Sequence, residues 1–178
     1  ARDDLADGGM QHVADTIRAI RNENPGAQVE ALISDAKGTD SLDTVLNERP
    51  DVLNHNIETV ARLQRMVRPS AGYARSLSVL ARSRAAGLTT KSGLMLGLGE
   101  TRDEVEATLT DLASVGVNIV TIGQYLRPSA QHLPVVRYAE PSEFEHYKQF
   151  GEGLGINHVE SSPLTRSSYH AKDAHRNS

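Results

Sequence analysis

Amide and carboxylate side chains cluster in the segment Asn54-His55-Asn56-Ile57-Glu58, directly after a short apolar run. At the end of a strand, such groups could hold a ribose or an amine by hydrogen bonds. The alternative is a helix cap, in which Asn54 or Asn56 opens the next helix and Glu58 lies near its positive end. A cap needs only one of these side chains, so both interpretations stay open.

Two glycine-rich segments could let a ligand approach the backbone closely. In the segment 93–100 (GLMLGLGE), glycines end a predicted strand and Glu100 supplies a hydrogen-bond acceptor. Asp7-Gly8-Gly9 precedes the first predicted helix, where free backbone N–H groups could meet an anionic group. Taken alone, each segment favours an ordinary turn or loop over a binding site.

The remaining polar residues show no catalytic or metal-binding spacing. The seven histidines are scattered, and the sequence has no HExxH, P-loop or Ser/His/Asp signature. Arg68 and Lys91 stand in polar segments next to predicted loops, and we predict that they are solvated. The late segment 166–170 (RSSYH) has no explanation from its residues beyond the start of a polar tail.

Composition excludes several classes of protein. A chain of 178 residues that is 38% hydrophobic suits one domain with a modest core. The formal net charge of −4 argues against a general nucleic-acid binder. No apolar run approaches the roughly 18 residues that a membrane span needs. The sequence contains no Cys, so disulfides and thiolate-held metals are excluded within this chain.

Apolar periodicity alternates between helix and strand, which predicts βαβ units and a parallel sheet of four or five strands. Ligands of such sheets bind in the loops at the carboxyl ends of the strands. Thr101 with Glu104, and Ser142 with Glu145, predict capping boxes. The predicted strands cover 28–34, 51–54, 89–98, 117–122 and 156–160, and the predicted helices begin near 10, 42, 57, 77, 101 and 142.

Six segments in this order resemble the lipoyl synthases, a family of radical S-adenosylmethionine enzymes. They cover the chain from Arg2 to about Ala171 and read RDDLADGG, VLNHNIETV, VRPSAGY, TKSGLMLGLGET, TIGQYLRPSAQHLPV and SPLTRSSYHA. The resemblance implies an α/β fold, a partial (βα) barrel of the radical SAM type that has six strands in the family. Because this chain has four or five predicted strands, we expect an incomplete part of that barrel.

The resemblance also implies an activity and its cofactors. Two [4Fe–4S] clusters and S-adenosylmethionine would serve the enzyme: one cluster cleaves S-adenosylmethionine to a radical, and the auxiliary cluster supplies sulfur. The substrate would be an octanoyl group, which receives sulfur at C6 and C8. The implied partner is an octanoylated lipoyl-carrier domain of the glycine cleavage H protein or 2-oxoacid dehydrogenase E2 type, with no nucleic acid and no membrane. The implied location is the cytoplasm.

The resemblance further implies residues that contact S-adenosylmethionine and a cluster. Gly8 and Gly9 would meet the methionine moiety; Asn54, Asn56 and Glu58 would meet the ribose or methionine end; Gly97 to Glu100 and the backbone of Gln124 to Leu126 would flank the adenine. Ser168 would ligate one iron of the auxiliary cluster. No catalytic residue is implied.

The chain departs from this family in one respect. Lipoyl synthases carry one three-cysteine motif for each cluster, and neither motif is present. We therefore expect a C-terminal segment of a longer protein, with residues 1–171 in the barrel domain and 172–178 as a disordered polar tail. Alone, the chain should neither cleave S-adenosylmethionine nor make lipoate, and it should be prone to aggregate.

Two other interpretations stay open. A cysteine-free relative could bind an adenosyl ligand or a carrier domain without catalysis. An aldolase-like βα enzyme would need a catalytic Lys at a strand's carboxyl end, whereas Lys91 stands at a strand's start. Nothing in the patterning favours a purely structural role.

Overall fold

The computed structural model describes residues 5–36 and 40–167. Five parallel strands form one open sheet, in which neighbours in space are also neighbours along the chain. Such an order places the crossover helices on one face, as in the wall of a barrel. The expected partial-barrel α/β fold is therefore confirmed. The strands are β1 Glu30–Leu32, β2 Val52–Asn54, β3 Thr89–Leu96, β4 Ile119–Gln124 and β5 His158–Ser161.

Six α-helices connect or precede these strands within the described residues. They are α1 Met10–Glu23, α2 Ser41–Leu46, α3 Gln64–Val67, α4 Tyr73–Ala85, α5 Arg102–Ser114 and α6 Pro141–Gly153, and the 3₁₀ turn Ala61–Leu63 leads into α3. None of the helices in the described part of the chain is long and apolar enough to cross a membrane.

The two faces of the sheet differ because successive residues of a strand point to opposite sides. Leu94 and Leu96 of β3 belong to a buried apolar cluster with α4, α5 and α6. Lys91 and Gly93 alternate with them and therefore lie on the inner face, where a barrel would have its interior. A second apolar cluster joins β1 and β2 to α1 and α2. The outer face thus forms the core, and the inner face carries polar groups.

The helix predicted from residue 57 is wrong in its first turn. Residues 57–60 are not helical, and helical structure begins at Ala61. Glu58 N–H instead donates to Gly93 O at 2.8 Å, and Met95 N–H donates to Glu58 O at 2.9 Å. The backbone N–H and C=O groups of Glu58 therefore form hydrogen bonds with β3 instead of hydrogen bonds within a helix. It also removes the cap interpretation of the segment, because no helix begins there.

One of the two predicted capping boxes is confirmed. Thr101 N–H donates to Glu104 at 2.8 Å and Glu104 N–H donates back at 3.3 Å. The box predicted from Ser142 is wrong by two residues, since Glu140 caps α6. The physical reason is Pro141, whose fixed φ suits the first position of a helix. The predicted polar tail, 172–178, lies outside the described residues.

Candidate functional site

Three adjoining cavities open at the carboxyl ends of the strands, a region called here the sheet mouth. Their volumes are about 650, 450 and 140 Å³. Glu58 lines all three cavities, and Asn56 lines the two smaller ones. These two side chains therefore stand where the cavities meet.

Glu58 reaches the sheet mouth through an unusual backbone conformation. Its φ is +67°, in the left-handed region that costs a non-glycine residue about 1–3 kcal/mol. The two hydrogen bonds to β3 described above hold it there. Its carboxylate accepts a hydrogen bond from Nδ2 of Asn56 at 3.2 Å. The pairing with the sheet thus fixes where the acidic group points.

Asn56 lies against the bare backbone of Gly93. A β-carbon added to Gly93 would come within 2.8 Å of Oδ1 of Asn56. Among the described residues, this Oδ1 is buried and has no hydrogen-bond partner. A buried amide oxygen without a donor costs free energy unless a bound molecule supplies an N–H or O–H group. The sheet mouth therefore contains an acceptor that a ligand could satisfy.

Gly8 and Gly9 line the 450 Å³ cavity together with Asn56 and Glu58. Both glycines have positive φ, 69° and 86°, so the wall is bare backbone. The structure brings together four of the residues that the resemblance assigned to the methionine and ribose ends of one ligand.

The N–H groups of Gly8, Gly9 and Gln11 already have acceptors within the chain, which agrees with the favoured interpretation of this segment as an ordinary loop. Oδ1 of Asp7 accepts from Gly9 N–H and Oδ2 accepts from Gln11 N–H, both at 2.9 Å. The hydrogen bonds from Gln11 and Gly9 lower the pKa of Asp7. Asp7 thus supplies the negative charge at the start of α1, and the glycines offer surface rather than donors.

Asn54 lies apart from the sheet mouth. Its Nδ2 donates to Oε1 of Glu30 at 3.0 Å, and in the described part of the chain it lines none of the three cavities. Lys91 Nζ donates to both oxygens of Glu30, at 2.9 and 3.1 Å. Lys91 is 1% exposed, so its predicted solvation is wrong. Its place on the inner face, opposite an acidic partner, is the reason.

Glu100 and Gln124 anchor the loops beside the sheet mouth. The buried carboxylate of Glu100 accepts from the N–H groups of Gly97 at 2.7 Å and Leu98 at 2.9 Å. Gln124 Oε1 accepts from Ala139 N–H at 2.9 Å. Gln124 also lines the 650 and 140 Å³ cavities, whereas Gly97 and Glu100 line none of the three.

A buried polar cluster that the sequence did not indicate lies at the ends of β1 and β2. Nδ1 of His55 donates to Ile33 O at 3.1 Å, because a carbonyl can only accept. Nε2 of His55 lies 3.0 Å from Oγ of Ser76 and 3.1 Å from Oδ1 of Asp35. These residue types match a hydrolase triad, but a triad needs Ser and Asp on opposite ring nitrogens. The three residues therefore do not form a Ser-His-Asp triad.

Arg68 joins this cluster to the sheet mouth, so its predicted solvation is also wrong. One guanidinium nitrogen donates to Asn56 O at 2.9 Å, and the other lies 3.2 Å from Oδ1 of Asp35. Arg68 lines both the 650 and the 450 Å³ cavities. No signal in the sequence indicates these contacts, because Arg68 lies between two predicted helices and its partners are 12 and 33 residues away along the chain.

The described residues do not fit an iron–sulfur cluster. The sequence has no Cys, and no group of three or more His, Asp or Glu in the described ranges could hold a metal ion. Ser168, the predicted cluster ligand, lies outside the described residues. The residues at the sheet mouth do suit a polar organic ligand, through the unpaired Oδ1 of Asn56 and the carboxylate of Glu58.

The open parallel sheet with cavities at its carboxyl ends defines an α/β ligand-binding domain of the barrel type. Residues 4–112, more than half of the chain, match the radical SAM superfamily, and the chain belongs to it. A domain of pyruvate-formate lyase-activating enzyme from Bacteroides vulgatus has a similar fold, with a TM-score of 0.63 and 11% identity over 84% of this chain and 91% of that one. Methylornithine synthase also has a similar fold, with a TM-score of 0.61 and 12% identity over 88% of this chain and 54% of that one.

Curated relatives confirm the lipoyl synthase resemblance. The chain is 56% identical to the lipoyl synthase of Chlorobaculum parvum over 173 residues, which is 96% of this chain and 59% of that protein. It is 55% identical to the lipoyl synthase of Rubrobacter xylanophilus over 175 residues, 97% of this chain and 54% of that protein. The chain therefore spans little more than half the length of these relatives.

Proposed function

We propose that this chain supplies the S-adenosylmethionine-binding and substrate-facing wall of a lipoyl synthase, which inserts two sulfur atoms at C6 and C8 of a protein-bound octanoyl group. The observation that carries the proposal is the meeting of Gly8, Gly9, Asn56 and Glu58 around one cavity at the sheet mouth. The identity to lipoyl synthases supports the chemistry.

The chemistry of these groups suits the polar half of S-adenosylmethionine. The Glu58 carboxylate can accept from ribose hydroxyls, and the unpaired Oδ1 of Asn56 can accept from a hydroxyl or an ammonium group. The bare backbone of Gly8 and Gly9 leaves room for the methionine chain. Hydrogen-atom abstraction would require an electron from a reduced iron–sulfur cluster to cleave the bound S-adenosylmethionine, and the described residues of this chain do not hold that cluster.

The 650 Å³ cavity is the proposed place for the octanoyl chain. Its wall includes apolar side chains from α3, from β3 and from the loops after β3 and β4, among them Met66, Val67, Met95, Leu98 and Leu133. Glu58 lines this cavity as well, so an acyl chain there would lie next to the ligand of the smaller cavity. We propose that an octanoylated lipoyl-carrier domain, of the H-protein or E2 type, delivers this chain.

The clusters require thiolates from outside this chain, because the sequence has no Cys. We therefore expect no S-adenosylmethionine cleavage and no lipoyl product from the chain alone. Ser168 stays a predicted ligand of the auxiliary cluster. We propose a cytoplasmic location, because reducing conditions there keep cluster thiolates free of disulfides.

Equilibrium binding of S-adenosylmethionine to the chain tests the proposed site. Saturable binding is expected, and Glu58→Gln should raise the Kd about tenfold through the loss of one charged acceptor. Glu145→Gln is the matched control, since Glu145 is exposed on α6. Absence of saturable binding, or equal affinity in both variants, would overturn the proposal.

A second experiment addresses the clusters. After anaerobic reconstitution with iron and sulfide, the chain should show no stable iron–sulfur absorption and should yield no lipoyl product from an octanoylated carrier domain. A stable absorption band, or lipoyl formation by the chain alone, would contradict the expectation that thiolates must come from elsewhere.

A further inference from the structure

Asp35 is a buried carboxylate that the proposed function does not use. Its side chain is 4% exposed and lies at the end of β1. Oδ1 lies 3.1 Å from Nε2 of His55 and 3.2 Å from the Arg68 guanidinium, and Oδ2 accepts from Gly72 N–H at 3.4 Å. One carboxylate therefore joins the ends of β1 and β2 to the segment that leads into α4.

The electrostatics favour the ionised form of Asp35. Burial raises its pKa, but the hydrogen bond from His55 and the charges of His55 and Arg68 outweigh burial and lower it. A buried carboxylate with these three donors is satisfied, whereas a neutral amide in its place could not accept from all of them. The arrangement thus depends on the negative charge.

Arg68 connects Asp35 to the sheet mouth. A guanidinium is planar and donates in fixed directions, so the nitrogen held by Asp35 determines where the other nitrogen points. That other nitrogen donates to Asn56 O at 2.9 Å. Asn56 and Glu58 are two residues apart, and Glu58 N–H donates to Gly93 O at 2.8 Å. The backbone of this segment is therefore held from β3 on one side and from Arg68 on the other.

We propose that Asp35 is a positioning residue for ligand binding at the sheet mouth: through Arg68 it fixes the backbone of Asn56 and so sets the side chains of Asn56 and Glu58. The identity of the ligand rests on the proposed function. The effect of Asp35 on the Asn56–Glu58 backbone does not, and it is measured without any ligand.

The chain offers a matched control at the opposite ends of the same strands. Oδ2 of Asp51 accepts from Val29 N–H at 2.8 Å and lies 3.5 Å from the Arg21 guanidinium. Asp51 therefore also holds a backbone N–H and an arginine between β1 and β2, but at their amino-terminal ends. Asp35→Asn and Asp51→Asn make the same chemical change at opposite ends of β1 and β2.

Native-state hydrogen exchange followed by NMR gives the first measurement. Asp35→Asn should accelerate exchange of the Glu58 and Met95 N–H groups at least tenfold, and leave Ser162 N–H, which donates to Ile122 O at 3.1 Å, within twofold. Asp51→Asn should leave Glu58 and Met95 unchanged. Equal acceleration at Ser162 would indicate general destabilisation and overturn the proposal, as would unchanged exchange at Glu58.

Affinity for S-adenosylmethionine gives the second measurement. Asp35→Asn should raise the Kd about tenfold and Asp51→Asn should not change it. Arg68→Lys keeps the positive charge but loses the two guanidinium nitrogens that contact Asp35 and Asn56. It should therefore cause the same faster hydrogen exchange and the same rise in Kd, and it replaces the Asp35 variant if that variant does not fold.

If the unchanged chain binds no S-adenosylmethionine, the proposed function fails, and hydrogen exchange alone decides the role of Asp35. Wild-type affinity in the folded Asp35→Asn variant would overturn that role.

Discussion

Gly93 supports the side chain of Asn56 because it has no side chain of its own. A β-carbon there would lie 2.8 Å from Oδ1 of Asn56 and 3.2 Å from Oγ1 of Thr121. The first distance is shorter than β-carbons tolerate, so any other residue at position 93 must displace the Asn56 amide. The inner face of β3 is thus shaped to let a side chain from the neighbouring loop lie flat on it.

Gly93→Ala should therefore weaken binding at the sheet mouth while leaving the fold intact. We expect the Kd for S-adenosylmethionine to rise about tenfold, as for the loss of one good hydrogen bond. Gly153→Ala is the control, because nothing lies within 4 Å of a β-carbon at that end of α6. The control should keep the affinity and gain up to about 1 kcal/mol of stability. Equal affinity in the two variants would contradict the supporting role of Gly93.

Breaking the ion pair between Lys91 and Glu30 should have unequal effects on its two partners. The side chain of Lys91 is 1% exposed and that of Glu30 is 24% exposed. Glu30→Gln leaves a buried ammonium without its counter-charge, which should cost about 3–5 kcal/mol. Lys91→Met leaves a carboxylate that water can reach, so its cost should be smaller.

Urea unfolding of the two single variants and the double variant measures this asymmetry. The double variant should be more stable than Glu30→Gln alone, because it removes the uncompensated charge. A larger loss for Lys91→Met than for Glu30→Gln would show that Glu30 is the more costly charge to leave unpaired.

Much of the fold could be predicted from the sequence because local signals agree with the tertiary structure. The apolar residues of β3 and β4, and the capping box of Thr101, lie where their patterns indicated. The helix expected from residue 57 failed because apolar spacing cannot reveal that Glu58 pairs with β3. That pairing depends on a strand more than 30 residues later in the chain.

The sheet mouth was predictable in part. Gly8, Gly9, Asn56 and Glu58 follow strands or precede a helix, where parallel sheets bind ligands. Asp35 and the role of Arg68 were not predictable, because their contacts join residues 33 positions apart. Polar residues with no motif look solvated in a sequence, and only the fold shows which of them are buried together.

The buried carboxylate of Glu100 should be needed for the turn after β3. It accepts from two backbone N–H groups, those of Gly97 and Leu98. Glu100→Gln keeps the shape but puts an NH₂ group against one N–H donor, so we expect a loss of about 1–3 kcal/mol on unfolding in urea. Glu145→Gln, which changes an exposed carboxylate on α6, should cost less than 1 kcal/mol. Similar losses in the two variants would contradict the anchoring role.

Glu104 should make the stability of the chain depend on pH in the acidic range. The hydrogen bond from Arg62, followed by the bond from Thr101 N–H, lowers the pKa of Glu104 to about 2, from a usual value of 4.5. A depressed pKa in the folded state means that the stabilisation is complete above about pH 4.5 and is lost as the pH falls through about 2.

Glu104→Gln should therefore lower the free energy of unfolding at pH 7 and leave it equal to that of the unchanged chain near pH 2. Urea unfolding at pH 7, 4 and 2 measures the difference, with Glu145→Gln as the control. A difference that stays constant with pH would mean that the charge of Glu104 does not stabilise the start of α5.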